Sequence, residues 1–92
     1  MSNSSQTTEQ TEKLVGRITH YFPKINVAVV ELLDTLKVGD VIHIKGATTD
    51  FEQTVDSMQI EHEQVEQADK GQAIGLKVKD RIREGDEVYL IT

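Results

Sequence analysis

The feature that most constrains the fold is a stretch of about fifty residues, 34–86, in which strand-like segments alternate with glycine turns. Two of these turns read Lys37-Val38-Gly39-Asp40 and Arg83-Glu84-Gly85-Asp86. Glycine tolerates the positive φ that a tight corner between strands requires. The pattern therefore predicts short strands joined by tight corners.

Six segments of the chain have the residue types of β-strands. They are rich in β-branched residues or alternate apolar and polar side chains, and they cover residues 14–21, 25–32, 41–45, 51–61, 73–78 and 87–91. Short strands at spacings of roughly ten residues are typical of a barrel or a sandwich. Full closure would also hide the strand edges, which a small isolated domain must protect.

Length and composition limit the domain count. The 92 residues are enough for one domain. Residues 1–12 hold no apolar stretch and are predicted to be a disordered tail, so residues 13–92 form the single predicted domain. The chain has no cysteine, which excludes disulfides and thiolate metal sites. No apolar run approaches the length of a membrane span, and we expect a cytoplasmic protein with no membrane partner.

The net charge of -6 is distributed unevenly. Residues 50–69 include seven acidic residues and no lysine or arginine, whereas residues 70–83 include five basic residues and only one acidic residue. An acidic protein is a poor nucleic-acid binder in general, but segregated charge still allows a basic face.

The first candidate binding site is a basic segment that contains Lys77, Lys79, Arg81 and Arg83. If a strand continues through these residues, a period of two places all four cations on one face, with Leu76, Val78 and Ile82 facing the core. Such a face would bind a phosphate backbone or an acidic partner. The alternative is an ordinary solvated face that keeps the domain from aggregating.

The second candidate site is the turn that contains Tyr21, Phe22 and Lys24. Exposed aromatic rings beside a cation stack on bases or anchor a protein partner. The alternative is that both rings pack at the end of the barrel.

Neither a metal site nor a catalytic site is predicted, and no cofactor is expected. Glu61-His62-Glu63 is a weak metal motif, because neighbouring residues of a strand point to opposite faces. No nucleophile and base can be paired from the sequence. We therefore expect a protein that is not an enzyme.

Several motifs occur in an order that resembles the second domain of translational GTPases of the elongation factor Tu type. They are Gly16-Arg17-Ile18-Thr19, Lys37-Val38-Gly39-Asp40, Thr54-Val55-Asp56-Ser57-Met58, the segment from Lys70 to Val78, and Glu84-Gly85-Asp86. The resemblance implies an all-β fold, a six-stranded Greek-key closed β-barrel, and is strongest to small stand-alone translation elongation factor-like proteins. A similar barrel ends some collagenase-like peptidase family members.

The chain has no Gly-Lys-Ser or Gly-Lys-Thr loop for a nucleotide phosphate. The resemblance therefore implies a non-catalytic interaction module related to translation or RNA handling. The alternative is a detached accessory domain that binds a separately encoded enzyme. RNA, a ribosome or translation component, a protein partner and a second copy of the chain remain open as partners.

Overall fold

The computed structural model describes residues 11–92, which form ten β-strands and no helix. The strands are β1 (Glu12–Phe22), β2 (Val27–Leu32), β3 (Leu36–Lys37), β4 (Val41–Lys45), β5 (Asp50–Thr54), β6 (Met58–Ile60), β7 (Glu63–Val65), β8 (Gln67–Ala68), β9 (Ala73–Lys77) and β10 (Glu87–Ile91). These residues include no helix that is long and apolar enough to cross a membrane. The predicted tail lies outside the described residues except for its last two, and β1 already begins at Glu12.

The strands form one antiparallel eight-stranded sheet in the order β5-β4-β10-β1-β2-β9-β6-β7, and β3 pairs separately with β8. The two edge strands, β5 and β7, do not pair with each other, so the sheet is open. The predicted class, an all-β fold, is confirmed, but the six-stranded Greek-key closed β-barrel is wrong.

A side chain of the edge strand β5 holds the segment that follows β9. Gln53 of β5 donates from Nε2 to the carbonyl of Lys77 at 2.9 Å and accepts the N–H of Lys79 at Oε1, also at 2.9 Å. Residues 78–86 form no strand, so no backbone ladder joins β5 to this segment. The sequence predicts six strands where the described residues form ten, and it does not reveal this contact of the Gln53 amide.

Three turns that lead into strands share one construction. In residues 37–40 the N–H of Asp40 donates to the Lys37 carbonyl at 3.1 Å, and a carboxylate oxygen of Asp40 accepts the Lys37 N–H at 2.9 Å. Asp86 and Arg83 repeat both bonds, and residues 69–72 do so with a glutamine amide oxygen. The glycine before the last residue has a φ between +91° and +98° in all three turns. The predicted glycine corner before Asp40 is confirmed.

The core lies on one face of the sheet. Alternate residues of the long strands point into it, as in β2, where Ala28, Val30 and Leu32 are buried while their neighbours are not. The described residues of this core are at most 2% exposed: Val15, Ile18, Ala28, Val30, Leu32, Leu36, Ile42, Ile44, Val55, Met58, Ala68, Ile74, Leu76, Val78, Ile82 and Val88. The opposite, outer face of the sheet carries the exposed side chains of these strands.

Candidate functional site

The basic segment does not have the predicted strand geometry. Strand β9 ends at Lys77, and Lys79, Arg81 and Arg83 lie in the irregular segment that follows. The predicted single face of four strand residues is therefore wrong, because the Lys79 N–H bonds to the Gln53 side chain instead of a ladder partner. The predicted burial of Leu76, Val78 and Ile82 is confirmed.

All four cations are exposed, but acidic residues lie among them. Arg81 and Arg83 line a concavity of about 360 Å³ together with Asp50 and Asp80, so its charges largely offset one another. Binding through Lys77, Lys79, Arg81 and Arg83 stays a prediction.

The aromatic turn separates its two rings. Tyr21 packs against the core, whereas Phe22 is 50% exposed and lies beside the His20 ring at a centroid distance of 6.5 Å. Lys24 is exposed in the turn between β1 and β2, and Ile25 in the same turn is 57% exposed. The hairpin tip thus presents two large apolar side chains to solvent.

These two side chains border a concavity of about 340 Å³, which we call the hairpin groove. It runs over the outer face of β9 between β2 and β6. Its apolar lining is formed by Phe22, Ile25, Val27, Val29, Ala73 and Gly75, and its polar lining includes Gln59, Glu61 and His62. The apolar outer face of β2, visible in the sequence, is part of this lining.

Gly75 forms the floor of the hairpin groove. It pairs with Val29 on one side and Gln59 on the other, and its outer side carries no atoms beyond the backbone. A Cβ placed there would lie 3.6 Å from the Val27 side chain, an ordinary van der Waals distance. The backbone does not require glycine here. The lack of a side chain at Gly75 does keep the groove open.

A strained turn forms one end of the groove. Ile60 pairs with Glu63, and the two residues between them, Glu61 and His62, have φ of 52° and 71°. Two central residues with positive φ define the turn that usually takes Asn-Gly. Non-glycine residues there carry backbone strain, and such strain is concentrated at binding and catalytic sites in proteins.

A second polar site lies on the outer face of the sheet, where β1, β4 and β5 come near one another. We call it the His43 cluster and define it by Glu12, His43, Asp50 and Glu52. His43 Nδ1 is 2.7 Å from Glu12 Oε2, and its Nε2 is 2.5 Å from Asp50 Oδ1. Glu52 is the direct cross-strand partner of His43.

The carboxylates of the His43 cluster favour positive charge at its centre. Partial burial by itself lowers the pKa of His43, but the hydrogen bonds to Asp50 and Glu12 outweigh it, and the pKa is raised above its ordinary value of 6.5. Lys45 adds positive charge, with Nζ 3.9 Å from Glu12 Oε1 and 5.3 Å from the centre of the Tyr89 ring.

A period of two along β4 places His43 on the face opposite the buried Ile42 and Ile44, but no sequence pattern predicts the cluster. Glu12 is 31 residues away and was assigned to the tail, so no local motif connects the two residues. Asp50 and Glu52 stand two apart in β5 and share a face by strand periodicity, which was the available signal.

No protein-family model matches the chain. The chain is 47% identical over 78 residues to an uncharacterized protease of Methanocaldococcus jannaschii. This match covers 84% of this chain and 19% of that protein. It is 38% identical over 88 residues to a collagenase of Porphyromonas gingivalis, covering 94% of this chain and 24% of the collagenase. The chain thus spans about a fifth to a quarter of the length of these relatives.

Two solved structures share the fold. Both are C-terminal domains of a Geobacillus thermoleovorans protein described as a U32 peptidase, each 20% identical to this chain. Their TM-scores are 0.79 and 0.80, and they cover 83% and 85% of this chain. This chain in turn covers 96% and 91% of those domains.

These findings correct three predictions. The resemblance to translational GTPases is wrong, and so is the function in translation or RNA handling, because the relatives are named as a protease and a collagenase. The prediction of a protein that is not an enzyme is contradicted by the same names. The described chain has the fold of a U32 peptidase C-terminal domain.

Proposed function

We propose that this chain is a peptidase-associated domain that binds polypeptide substrate through the hairpin groove. The observation that carries the proposal is the 47% identity, over 84% of the chain, to a protein named as a protease. The match spans only 19% of that relative, which supports a role for the chain as one unit of a peptidase.

The chemistry of the hairpin groove suits an extended chain with apolar side chains. Aromatic-lined grooves bind proline-rich segments, which lose little entropy on binding because they are already extended. Phe22 supplies an exposed aromatic ring, and Ile25 extends the apolar lining. Two relatives are named collagenases, so we propose a proline-rich, collagen-derived polypeptide as the substrate class.

The test is fluorescence anisotropy with a labelled, denatured collagen-derived peptide added to the full chain. We expect saturable binding that the substitution Phe22→Ala weakens about tenfold, since a buried aromatic anchor contributes at least about 1.4 kcal/mol. The matched control is Val38→Ser, an exposed apolar residue outside the groove, which should bind like the wild type. Equal binding by wild type and Phe22→Ala would refute the proposed site.

We also propose a cytoplasmic location, with which a chain that holds no cysteine is compatible.

A further inference from the structure

We propose that His43, Glu12 and Glu52 bind a divalent transition-metal ion of the Zn²⁺ class on the outer face of the sheet. The three side chains come from β4, β1 and β5, and one potential ligand atom of each lies within 4.8 Å of the other two. Imidazole and carboxylate groups are ordinary Zn²⁺ ligands.

The distances require little rearrangement. Zn²⁺ binds nitrogen and oxygen ligands at about 2.1 Å, so two ligands of one ion are at most about 4.2 Å apart. At 4.8 Å, the widest separation of two ligand atoms exceeds this limit by less than an ångström. A tetrahedral site requires the two atoms to approach by about one ångström further. Both glutamates are exposed, so side-chain rotation can supply this movement.

Asp50 supplies the supporting contact that such sites use. A metal-binding histidine normally donates its second ring N–H to a carboxylate, which fixes the tautomer and the ring orientation. Asp50 Oδ1 lies 2.5 Å from His43 Nε2, which leaves Nδ1 facing Glu12. Loss of the Nδ1 proton would turn a lone pair towards Glu12, while Asp50 holds the opposite side of the ring.

The local charge also favours a divalent ion. Glu12, Asp50 and Glu52 place three carboxylates around one imidazole, and Lys45 is the one lysine or arginine that pairs with any of them within residues 11–92. Glu52 makes no ion pair within that part of the chain. A bound cation would offset the repulsion among these carboxylates.

The test is calorimetric titration of the chelator-treated full chain with Zn²⁺ alone at pH 8, because metal binding requires the imidazole to lose its proton and a higher pH favours that loss. We expect one equivalent to bind, and we expect His43→Gln and Glu52→Gln each to weaken binding by at least tenfold. Asp50→Asn should weaken it by about ten- to a hundredfold, as loss of a supporting carboxylate does. A parallel thermal melt should show that Zn²⁺ raises the Tm of the wild type.

The matched control is His20→Gln, because His20 also faces a carboxylate, Glu84, at 3.6 Å but lies outside the cluster. It should bind Zn²⁺ like the wild type. Glu52→Gln changes an exposed side chain, so its loss of binding cannot be attributed to unfolding. Undiminished binding by Glu52→Gln and His43→Gln, or no saturable binding up to 1 mM Zn²⁺ (roughly the weak end of specific affinities), would overturn the site. Neither result depends on the polypeptide-binding test.

Discussion

Single side chains define the corners of this sheet as firmly as the glycines do. Asp86 is only 5% exposed, and its carboxylate accepts the Arg83 N–H at 2.9 Å. Gly46 packs directly against that carboxylate, so any side chain at Gly46 would collide with Asp86. The corner at residues 83–86 therefore depends on a distant glycine that the local turn motif does not reveal.

Asp34 offers a test of electrostatics at the same scale. Its hydrogen bond to Lys13, helped by the Thr35 N–H at 2.8 Å, holds the pKa of Asp34 below its ordinary value of 3.8. A lowered pKa stabilises the folded state above pH 3.8, and this contribution is lost as the pH falls through the folded-state pKa. We expect Lys13→Met to raise the pKa of Asp34 towards 3.8 in an NMR titration, whereas Lys24→Met should leave it unchanged. An Asp34 that titrates at 3.8 or above in the wild type would contradict this prediction.

Among the elements, the hairpin of β6 and β7 is the most strained part of the described chain that lines the hairpin groove. Replacing Glu61-His62 by Asn-Gly should stabilise the protein by about 1–2 kcal/mol, because these residues adopt positive φ at little cost. The measurement is urea unfolding. The same variant should bind the collagen-derived peptide less tightly, since both side chains line the groove. A destabilised variant would contradict the strain argument.

The strands show which parts of the fold the sequence predicts. Strands β1, β2, β4, β9 and β10 follow from β-branched alternation and glycine corners, and their inward residues were predictable from a period of two. Val65 and Ala68 stand three apart, a spacing that also suits one helical turn, but they lie in β7 and β8. Two strands of two or three residues are too short to leave a periodic signal.

The outward-facing sites show the opposite limit. The sequence predicts Phe22 as a candidate because it lies in a turn beside Tyr21 and Lys24, and in the structure it lines the hairpin groove. The His43 cluster depends on Glu12 meeting β4 across the sheet, a contact between residues 31 apart that only the strand order creates. Local patterns cannot supply such long-range pairs.

For the molecule as a whole, Gln53 connects the edge strand β5 to the end of β9 and the segment that follows it. We expect Gln53→Leu to destabilise the protein by about 1–3 kcal/mol, because the Lys79 N–H and the Lys77 carbonyl lose their partner. Hydrogen exchange should accelerate at the Lys79 amide. Thr54→Val, on the exposed side of β5, should change stability by less than about 0.5 kcal/mol. If Gln53→Leu left both the free energy of unfolding and the hydrogen exchange of the Lys79 amide unchanged, the connection between β5 and residues 77–79 would not depend on this side chain.

The central claim is that the hairpin groove binds polypeptide, and NMR titration of the labelled full chain with the collagen-derived peptide tests it most directly. We predict chemical-shift changes confined to the groove, including Ile25, Val27 and Gly75. We also predict that Gly75→Leu abolishes them, because its side chain would occupy the floor of the groove. A Cβ at this position meets only ordinary contacts, and a thermal melt checks that the variant is folded. Shift changes elsewhere on the sheet, or undiminished binding by folded Gly75→Leu, would contradict the account.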